Sequence, residues 1–126
     1  MSTQPTCLSG LIAVLALLAF QSAPGNAQQL DGERLFRQRC AACHAIQPGQ
    51  NRVGPTLFAV LGRAAGSVAG ARYSEAMRRS DVAWDEQALD KFLANPLRHT
   101  PGTTMSVAVQ NPNERKALID FLATLR

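Results

Sequence analysis

The segment Cys40-Ala41-Ala42-Cys43-His44 carries the strongest chemical signal in the chain. The pattern Cys-x-x-Cys-His is the attachment signature of c-type haem. Residues three apart lie on the same face of a helical turn, so both thiols can form thioethers with the two vinyl groups of one porphyrin. The imidazole that follows is then placed to bind the iron. We therefore predict that Cys40 and Cys43 attach one haem c per chain and that His44 is an iron ligand.

Two other functions of a Cys-x-x-Cys pair are disfavoured by its surroundings. A thioredoxin-like redox pair follows a strand and opens a helix at its first cysteine. The pair here instead ends an amphipathic stretch, which we predict to be a helix over 31–43 with Leu35 and Phe36 on its apolar face. A zinc module needs a second, separate pair of ligands, which the adjacent His44 does not supply.

Length and charge limit the chain to one small domain. It has 126 residues, of which 17% are charged, against an average of about 25% in globular proteins. This deficit is local, because residues 1–30 contain no Lys, Arg, Asp or Glu. The 13 basic and 9 acidic residues give a net charge of +4, which is too small to indicate a nucleic-acid partner.

The uncharged N-terminal region has features of a secretory signal. Residues 8–20 form an apolar run that is shorter than the roughly 18 to 20 residues needed to cross a bilayer. A Gly-Asn-Ala sequence ending at Ala27 then supplies small residues before a cleavage site. The region lacks basic residues at its start, and the first arginine, Arg34, comes too late for a mitochondrial transit peptide. We predict a signal peptide over 1–27 and a periplasmic domain over 28–126, with an uncleaved anchor as the alternative.

The remaining sequence is typical of helices and loops, because no alternating stretch is long enough to predict a strand. A helix is predicted over 85–94, where an Asn-Pro pair ends it. A last helix is predicted to open at Asn111, with Pro112 in its first turn and Glu114 completing a capping-box-like start. The sequence therefore predicts an all-α fold.

The function depends on which side chain, if any, binds the iron opposite His44. Met105 is favoured by its loop, because Pro101 and Gly102 suit the central positions of a type II turn that would hold the thioether in place. A methionine is nevertheless more often core packing than a ligand, so the spacing alone leaves the choice open.

Four further side chains are candidates for this second ligand. Met77 lies at the start of a short helix and is interpreted as packing, whereas His99 is interpreted as an exposed loop residue. The chain has only two lysines, Lys91 and Lys116, and both are less plausible ligands.

Several short motifs between residues 32 and 105 can be compared, by their residues and their spacing, with those of known families. They are Gly32, Phe36 and Cys40 at four-residue steps, Gly54-Pro55-Thr56-Leu57, Leu61-Gly62-Arg63, Tyr73-Ser74, Trp84, Asn95-Pro96 and Pro101-Gly102-Thr103-x-Met105. In these motifs the chain resembles the class I cytochromes c, the mitochondrial protein and its soluble bacterial relatives, over residues 32–122.

This resemblance implies a fold and a set of roles. The fold is a small single domain of helices and loops around one covalently bound haem, in which Gly32 and Phe36 face the last helix. Met105 becomes the second iron ligand, and the carbonyl of Pro55 accepts a hydrogen bond from the outer nitrogen of His44. Side chains that donate hydrogen bonds around the haem propionates are Arg63, Tyr73, Trp84 and Thr103.

The chain departs from that family at positions around the haem. Phe92 replaces a tyrosine whose hydroxyl approaches the methionine sulfur, and Val107 replaces an aromatic residue. Leu97 and Thr104 stand where the mitochondrial protein has lysines, so that only Arg98 keeps a charge there. The two propionates of a haem would also reduce the net charge of +4 to about +2, which predicts modest electrostatic steering toward acidic partners.

Two saturating ligands imply one-electron transfer rather than an enzyme reaction at the iron. We therefore predict a monomeric electron carrier that docks weakly and transiently on redox proteins, without a nucleic-acid partner and without membrane insertion once the signal is removed. A dedicated subunit of one oxidoreductase complex is the alternative, and it would use an apolar patch for which Leu97, Val107 and Val109 are candidates. A peroxidase or gas sensor would require a labile Met105.

Overall fold

A computed structural model describes Met1 and residues 30–126, and residues 30–126 form five helices joined by loops of different lengths. The predicted signal peptide over 1–27 lies outside these described residues, apart from Met1. Between residues 30 and 126, no helix has the length and apolar character required to cross a membrane. The helices are α1 (Gly32–Arg39), α2 (Glu75–Arg78), α3 (Glu86–Ala94), α4 (Pro96–His99) and α5 (Pro112–Ala123).

The first helix is shorter than the sequence predicts. It starts where Asp31 accepts a hydrogen bond from the backbone N–H of Arg34 at 3.2 Å, and it ends at Arg39 rather than at residue 43. Beyond it the backbone forms a tight turn, because the N–H groups of Cys43 and His44 both donate to the carbonyl of Cys40. The two cysteines therefore lie on a turn at the end of α1.

Asn and Asp caps set the start of the helices in the second half of the chain. Asp85 caps α3, which agrees with the helix predicted over 85–94. Asn95 ends α3 as predicted, but its side chain also accepts from the N–H of Arg98 at 3.1 Å and so starts the short helix α4. The chain consequently changes direction at Asn95 without a long loop.

The last helix begins at the residues that the sequence predicts. Asn111 accepts from the N–H of Asn113 at 2.9 Å, and Pro112 occupies the first turn. Glu114 does not serve mainly as a cap, because its carboxylate forms an ion pair with Arg39 at the end of α1, at 2.9 Å. This pair joins the first and last helices.

Helix α5 crosses α1 at a point where no side chain fits between the two backbones. A Cβ placed on Gly32 would lie 2.1 Å from the carbonyl oxygen of Ala117. One turn further along α1, the rings of Phe36 and Phe121 are 6.0 Å apart, and Leu118 is fully buried beside them. The expected contact of Gly32 and Phe36 with the last helix is thus present.

Helix α5 also packs against α3. Nε of Arg115 donates to Asp90 of α3 at 2.6 Å, and the same guanidinium donates to the carbonyls of Val109 and Gln110. The Arg115 side chain is only 12% exposed, so these three acceptors satisfy donors that would otherwise be costly to bury. The contact fixes α3 and the loop before α5 to the same side of the molecule.

The apolar core has two parts. The smaller one, formed by Leu35, Phe36, Val109 and Leu118, joins α1 to α5. The larger one is centred on α3 and includes Val60, Met77, Trp84, Leu89, Phe92, Leu93, Ile119 and Leu122. Both parts contribute side chains to one cavity.

Candidate haem-binding site

The cavity between the two parts of the core encloses about 280 Å³. Protein interiors are normally packed to the density of organic crystals, with few voids larger than a water molecule. A small domain that leaves such a space among apolar side chains is therefore incomplete without a bound apolar group. The ten buried core side chains that line it are Phe36, Val60, Met77, Trp84, Leu89, Phe92, Leu93, Val109, Leu118 and Leu122.

Both cysteines of the Cys-x-x-Cys-His motif line this cavity as free, half-buried thiols. They follow a helix instead of opening one, which excludes the arrangement of a thioredoxin-like pair. Burial raises the pKa of the Cys40 thiol, with the charge of Arg39 acting in the opposite direction. A protonated thiol has the atoms needed to add across a vinyl double bond, its sulfur to one carbon and its hydrogen to the other.

The ring of His44 is held in the form that binds a metal. Its Nδ1 lies 2.7 Å from the carbonyl oxygen of Pro55. A carbonyl only accepts, so Nδ1 carries the proton and Nε2 keeps a free lone pair. Burial lowers the pKa of His44, and the charge of Arg63 adds to this effect while the Pro55 hydrogen bond opposes it. The imidazole is therefore neutral near pH 7.

Gly54 leaves the space that the His44 ring occupies. A Cβ at this position would lie 2.4 Å from Cε1 of the ring and 2.8 Å from Nδ1. The N–H of Gly54 also donates to the carbonyl of Cys43 at 2.8 Å, which ties the loop to the motif. The glycine of the Gly-Pro pair is thus required by the approach of the ring.

We expect Gly54→Ala to displace the His44 ring and break its hydrogen bond to Pro55, with a loss of about 1 to 3 kcal/mol in stability. Chemical denaturation gives the stability, and the NMR signals of the His44 ring report its orientation. Gly49→Ala is the control, because a Cβ at Gly49 meets nothing within 4 Å. Unchanged His44 ring signals in Gly54→Ala would contradict the expectation.

The structure narrows the candidates for the second iron ligand. Met77 and Met105 line the cavity, whereas His99, Lys91 and Lys116 are not among the described residues that line it. Met77 is a buried member of the larger core part, and Met105 packs against that part from its edge. The thioethers of Met77 and Met105 are therefore the two remaining candidates for the second iron ligand.

The interpretation of His99 as an exposed loop residue is wrong. It is half-buried at the end of α4, where its ring meets the edge of Phe92 at 5.7 Å and lies 6.4 Å from Trp84. Its Nδ1 is 3.0 Å from the hydroxyl of Thr100. His99 thus packs against Phe92 and Trp84, two aromatic residues that line the cavity.

Met105 follows a tight turn that fixes its backbone. The N–H of Thr103 donates to the carbonyl of Thr100 at 3.0 Å, and Gly102 between them has a φ of 90°. This geometry is that of a type II turn, which needs a glycine at its third position. The N–H of Met105 then donates to the Thr103 hydroxyl at 3.4 Å. Thr103 is itself buried and lines the cavity.

Arg63 brings to the cavity a guanidinium whose Nε has no acceptor in the described part of the chain. Its Nη1 and Nη2 donate to the carbonyls of Phe58 and Thr56 at 2.9 and 2.8 Å. Its Nε is buried and has no hydrogen-bond partner among the described residues. Burial lowers the pKa of Arg63, but the group stays charged. A buried charged donor without an acceptor is costly, and a haem propionate is an acceptor of the right charge.

Trp84 and Tyr73 lie on the same wall of the cavity. The backbone N–H of Trp84 donates to the carbonyl of Arg63 at 2.9 Å. This bond belongs to a short antiparallel pairing of residues 62–65 with 82–84. The Tyr73 hydroxyl accepts from the N–H of Val68 at 3.3 Å, which leaves its own proton free to be donated. The four residues assigned to the propionates therefore all line the same cavity: Arg63, Tyr73, Trp84 and Thr103.

Sequence reasoning missed a supporting contact behind Arg63. The hydroxyl of buried Thr56 donates to the carbonyl of Gln47 at 2.7 Å, and the N–H of Thr56 donates to Asn51 at 3.0 Å. These bonds hold the loop whose carbonyls receive the guanidinium. Threonine directly after the Gly-Pro pair was the only available signal, and it did not indicate this role.

The exposed apolar residues form a smaller surface than the sequence predicts. Val109 is 1% exposed and belongs to the core, so its assignment to an apolar patch is wrong. Val53 and Val107, at 71% and 48% exposure, stand at the edge of the cavity. Leu97 is 53% exposed but does not line it.

The domain is helical, and its apolar cavity is lined by the Cys-x-x-Cys-His motif. These two features are typical of small c-type haem proteins. Residues 29–126 match the family model described as cytochrome c. The chain is 38% identical to cytochrome c of Euglena viridis, over 81% of this chain and 99% of that protein. It is 43% identical to cytochrome c2 iso-2 of Magnetospirillum molischianum, over 69% of this chain and 91% of the relative. The chain therefore belongs to the cytochrome c family.

A solved structure agrees with this assignment. Cytochrome cH from Methylobacterium extorquens superimposes with a TM-score of 0.70 at 36% identity, covering 76% of this chain and 97% of that one. The all-α fold predicted from the sequence is confirmed. As a member of the family the protein carries a haem c bound through Cys40 and Cys43, and it is an electron carrier rather than an enzyme.

Proposed function

We propose that the haem iron is bound by His44 and Met105 and that the protein shuttles single electrons between a respiratory or dehydrogenase donor and an oxidase or reductase. The observation that carries the proposal is the position of Met105, directly after a hydrogen-bonded turn at the cavity. Met77 is a poorer ligand candidate, because its side chain belongs to the buried core.

The proposed ligands determine what the site does. A haem held by two such ligands would supply reversible one-electron exchange between Fe(III) and Fe(II). The neutral imidazole of His44 and the thioether of Met105 leave no position for oxygen or peroxide. A soft thioether favours the reduced iron, and the apolar lining disfavours the additional charge of Fe(III). The reduction potential is therefore high compared with that of a bis-histidine site.

The propionate contacts are part of the same proposal. Arg63, Tyr73, Trp84 and Thr103 all line the cavity, and each has or can offer a hydrogen-bond donor there. Pro55 orients His44 through its carbonyl oxygen. Together these residues hold the cofactor so rigidly that little rearrangement accompanies electron transfer.

We also propose that residues 1–27 are a secretory signal and that 28–126 is the mature domain in the periplasm. Two observations support this division. Residues 1–30 are free of charged side chains, and the family match begins at residue 29, just after the proposed cleavage.

Docking is proposed to be weak and transient, between a monomer and its redox partners. The apolar residues at the cavity edge, Val53 and Val107, offer a small contact, and stable complexes generally bury much more. A dedicated subunit of one oxidoreductase complex is the second candidate, and Leu97 with Val107 favours it.

The test is purification of the holoprotein from the periplasm. We expect a free monomer that shows the Met-to-iron charge-transfer band when oxidised and binds no carbon monoxide when reduced at neutral pH. Carbon monoxide binding would instead indicate a labile Met105 and a gas-binding role. Stoichiometric co-purification with an enzyme would replace the shuttle with the subunit.

A further inference from the structure

We propose that Arg72 binds the second haem propionate at the mouth of the cavity, while Arg63 binds the first one inside. This proposal rests on the proposed haem site, but it does not depend on which side chain is the second iron ligand. Arg72 is thereby assigned as a positioning residue for the cofactor, a role that neither the motif pattern nor the propionate set named above includes.

The charges around the cavity are all of one sign. Apart from the two cysteines, its titratable lining residues are His44, Tyr73, Arg39, Arg63 and Arg72, and no described Asp or Glu lines it. A haem adds two carboxylates to this surface. Arginines matched to these carboxylates remove the cost of placing negative charge beside an apolar cavity.

Arg39 is already engaged. Its guanidinium forms an ion pair with Glu114 at 2.9 Å, and this carboxylate is 21% exposed. Arg39 also lies beside the cysteines in sequence and serves the contact between α1 and α5. It is therefore not the free cation that a propionate requires.

Arg72 makes no ion pair and no side-chain hydrogen bond with the part of the chain that the structure describes. The nearest acidic residue in sequence, Glu75, is taken by Arg78 and Arg79, which both bind its carboxylate at 2.6 Å. Arg72 is thus an exposed guanidinium at the edge of the cavity with its donors unused.

The position of Arg72 suits an outer carboxylate. It directly precedes Tyr73 and Ser74, which both line the cavity. Nε of Arg63 is buried without a partner among the described residues, and its Nη1 and Nη2 each donate one N–H to a backbone carbonyl. The single positive charge of Arg63 balances one carboxylate, so the charge of the second is balanced only by another cation. The planar fork of Arg72 supplies two donors in the geometry that a carboxylate accepts.

An arginine beside the outer propionate keeps that group ionised and neutralises it. Opposite charge at close range lowers a carboxyl pKa by about 1 to 3 units. Without Arg72 the propionate titrates at higher pH, and its uncompensated charge favours Fe(III). The reduction potential of an Arg72 variant should therefore be lower and should fall with pH where this group ionises.

The experiment compares the wild-type holoprotein with Arg72→Gln and Arg34→Gln. Arg34 is the matched control, because it is exposed on α1, is not among the lining residues and forms no ion pair in the described chain. NMR titration of the haem propionate resonances gives the pKa of each propionate. We expect Arg72→Gln to raise one propionate pKa by about one unit and to leave the other in place. Arg34→Gln should change neither.

A second measurement uses the wild type alone and so does not depend on how the variants fold. The Nε–H of Arg72 should be protected from hydrogen exchange in the holoprotein, and that of Arg34 should exchange freely. Equal shifts in both variants, no shift in Arg72→Gln, or an unprotected Arg72 Nε–H would each overturn the proposal. If the Met-to-iron band is absent while the propionate shift is seen, the axial ligand assignment fails and the role of Arg72 stands.

Discussion

Met105→Ala will abolish the Met-to-iron charge-transfer band, allow the reduced protein to bind carbon monoxide and lower its reduction potential. The variant removes the one thioether that stands on the hydrogen-bonded turn beside the cavity. A water molecule or no ligand then replaces a soft sulfur, and the preference for Fe(II) is lost. Axial ligands set haem reduction potentials over a range of about 0.8 V. The reduction potential of Met105→Ala should therefore fall by a large fraction of the difference between one set of axial ligands and another.

Met77→Leu is the matched control for this experiment. It removes the other thioether that lines the cavity and keeps nearly the same volume, so the stability cost should stay below about 1.5 kcal/mol. The band, the potential and the lack of carbon monoxide binding should remain. If Met77→Leu lost the band and Met105→Ala retained it, the ligand assignment would be reversed.

Gly32→Ala will destabilise the protein by about 3 kcal/mol, at the upper end of what overpacking costs. Alanine favours a helix by about 1 kcal/mol relative to glycine, so propensity alone predicts the opposite sign. The added Cβ, however, would lie 2.1 Å from a backbone oxygen of Ala117 and 2.7 Å from Cβ of Phe121. Neither atom moves without shifting α5 as a whole. Guanidinium unfolding of the holoprotein measures the difference.

The same chemical change at Gly49 provides the comparison. No atom lies within 4 Å of a Cβ there, and the only penalty is the φ of +69°, which costs an alanine about 1 kcal/mol. A loss in Gly32→Ala no larger than that in Gly49→Ala would show that α1 and α5 can separate without cost. The contact would then not be what holds α1 and α5 together.

Local sequence signals predicted much of this molecule. The helix over 85–94 and the cap at Asn111 were predicted from neighbouring residues alone, and Asp85 and Asn111 both start helices in the structure. The Pro101-Gly102 turn was predicted in the same way, because only glycine adopts the required φ readily. In each case the deciding interaction lies within a few residues of the chain.

Long-range contacts account for part of what the sequence did not predict. Helix α1 ends at Arg39 because Cys40 and the residues after it turn toward the cavity. Val109 was interpreted as a surface residue, but it packs between the first and last helices. His99 lies against two aromatic rings from another helix and an earlier loop. The contacts of Val109 with α1 and of His99 with Trp84 join residues that are distant in sequence.

The unused Nε of Arg63 belongs to the same group of features. The sequence indicates an arginine in a Leu-Gly-Arg motif, but it does not show that two of its nitrogens are bound to carbonyls and the third is free. That distinction depends on how the loop carrying Thr56 folds back. The family resemblance suggested the role of Arg63, and the geometry gives the physical reason for it.

The cysteine turn at the end of α1 also has a consequence for assembly. The helices that enclose the cavity come from opposite ends of the domain, and contacts so distant in sequence form slowly because the loop between them must close. A group joined to Cys40 and Cys43 is already present at one of these ends, at an effective concentration on the millimolar scale. Cavity formation is then independent of how dilute the protein or free porphyrin is. Each refolding event after stress begins with its cofactor in place, and dilution cannot deplete it.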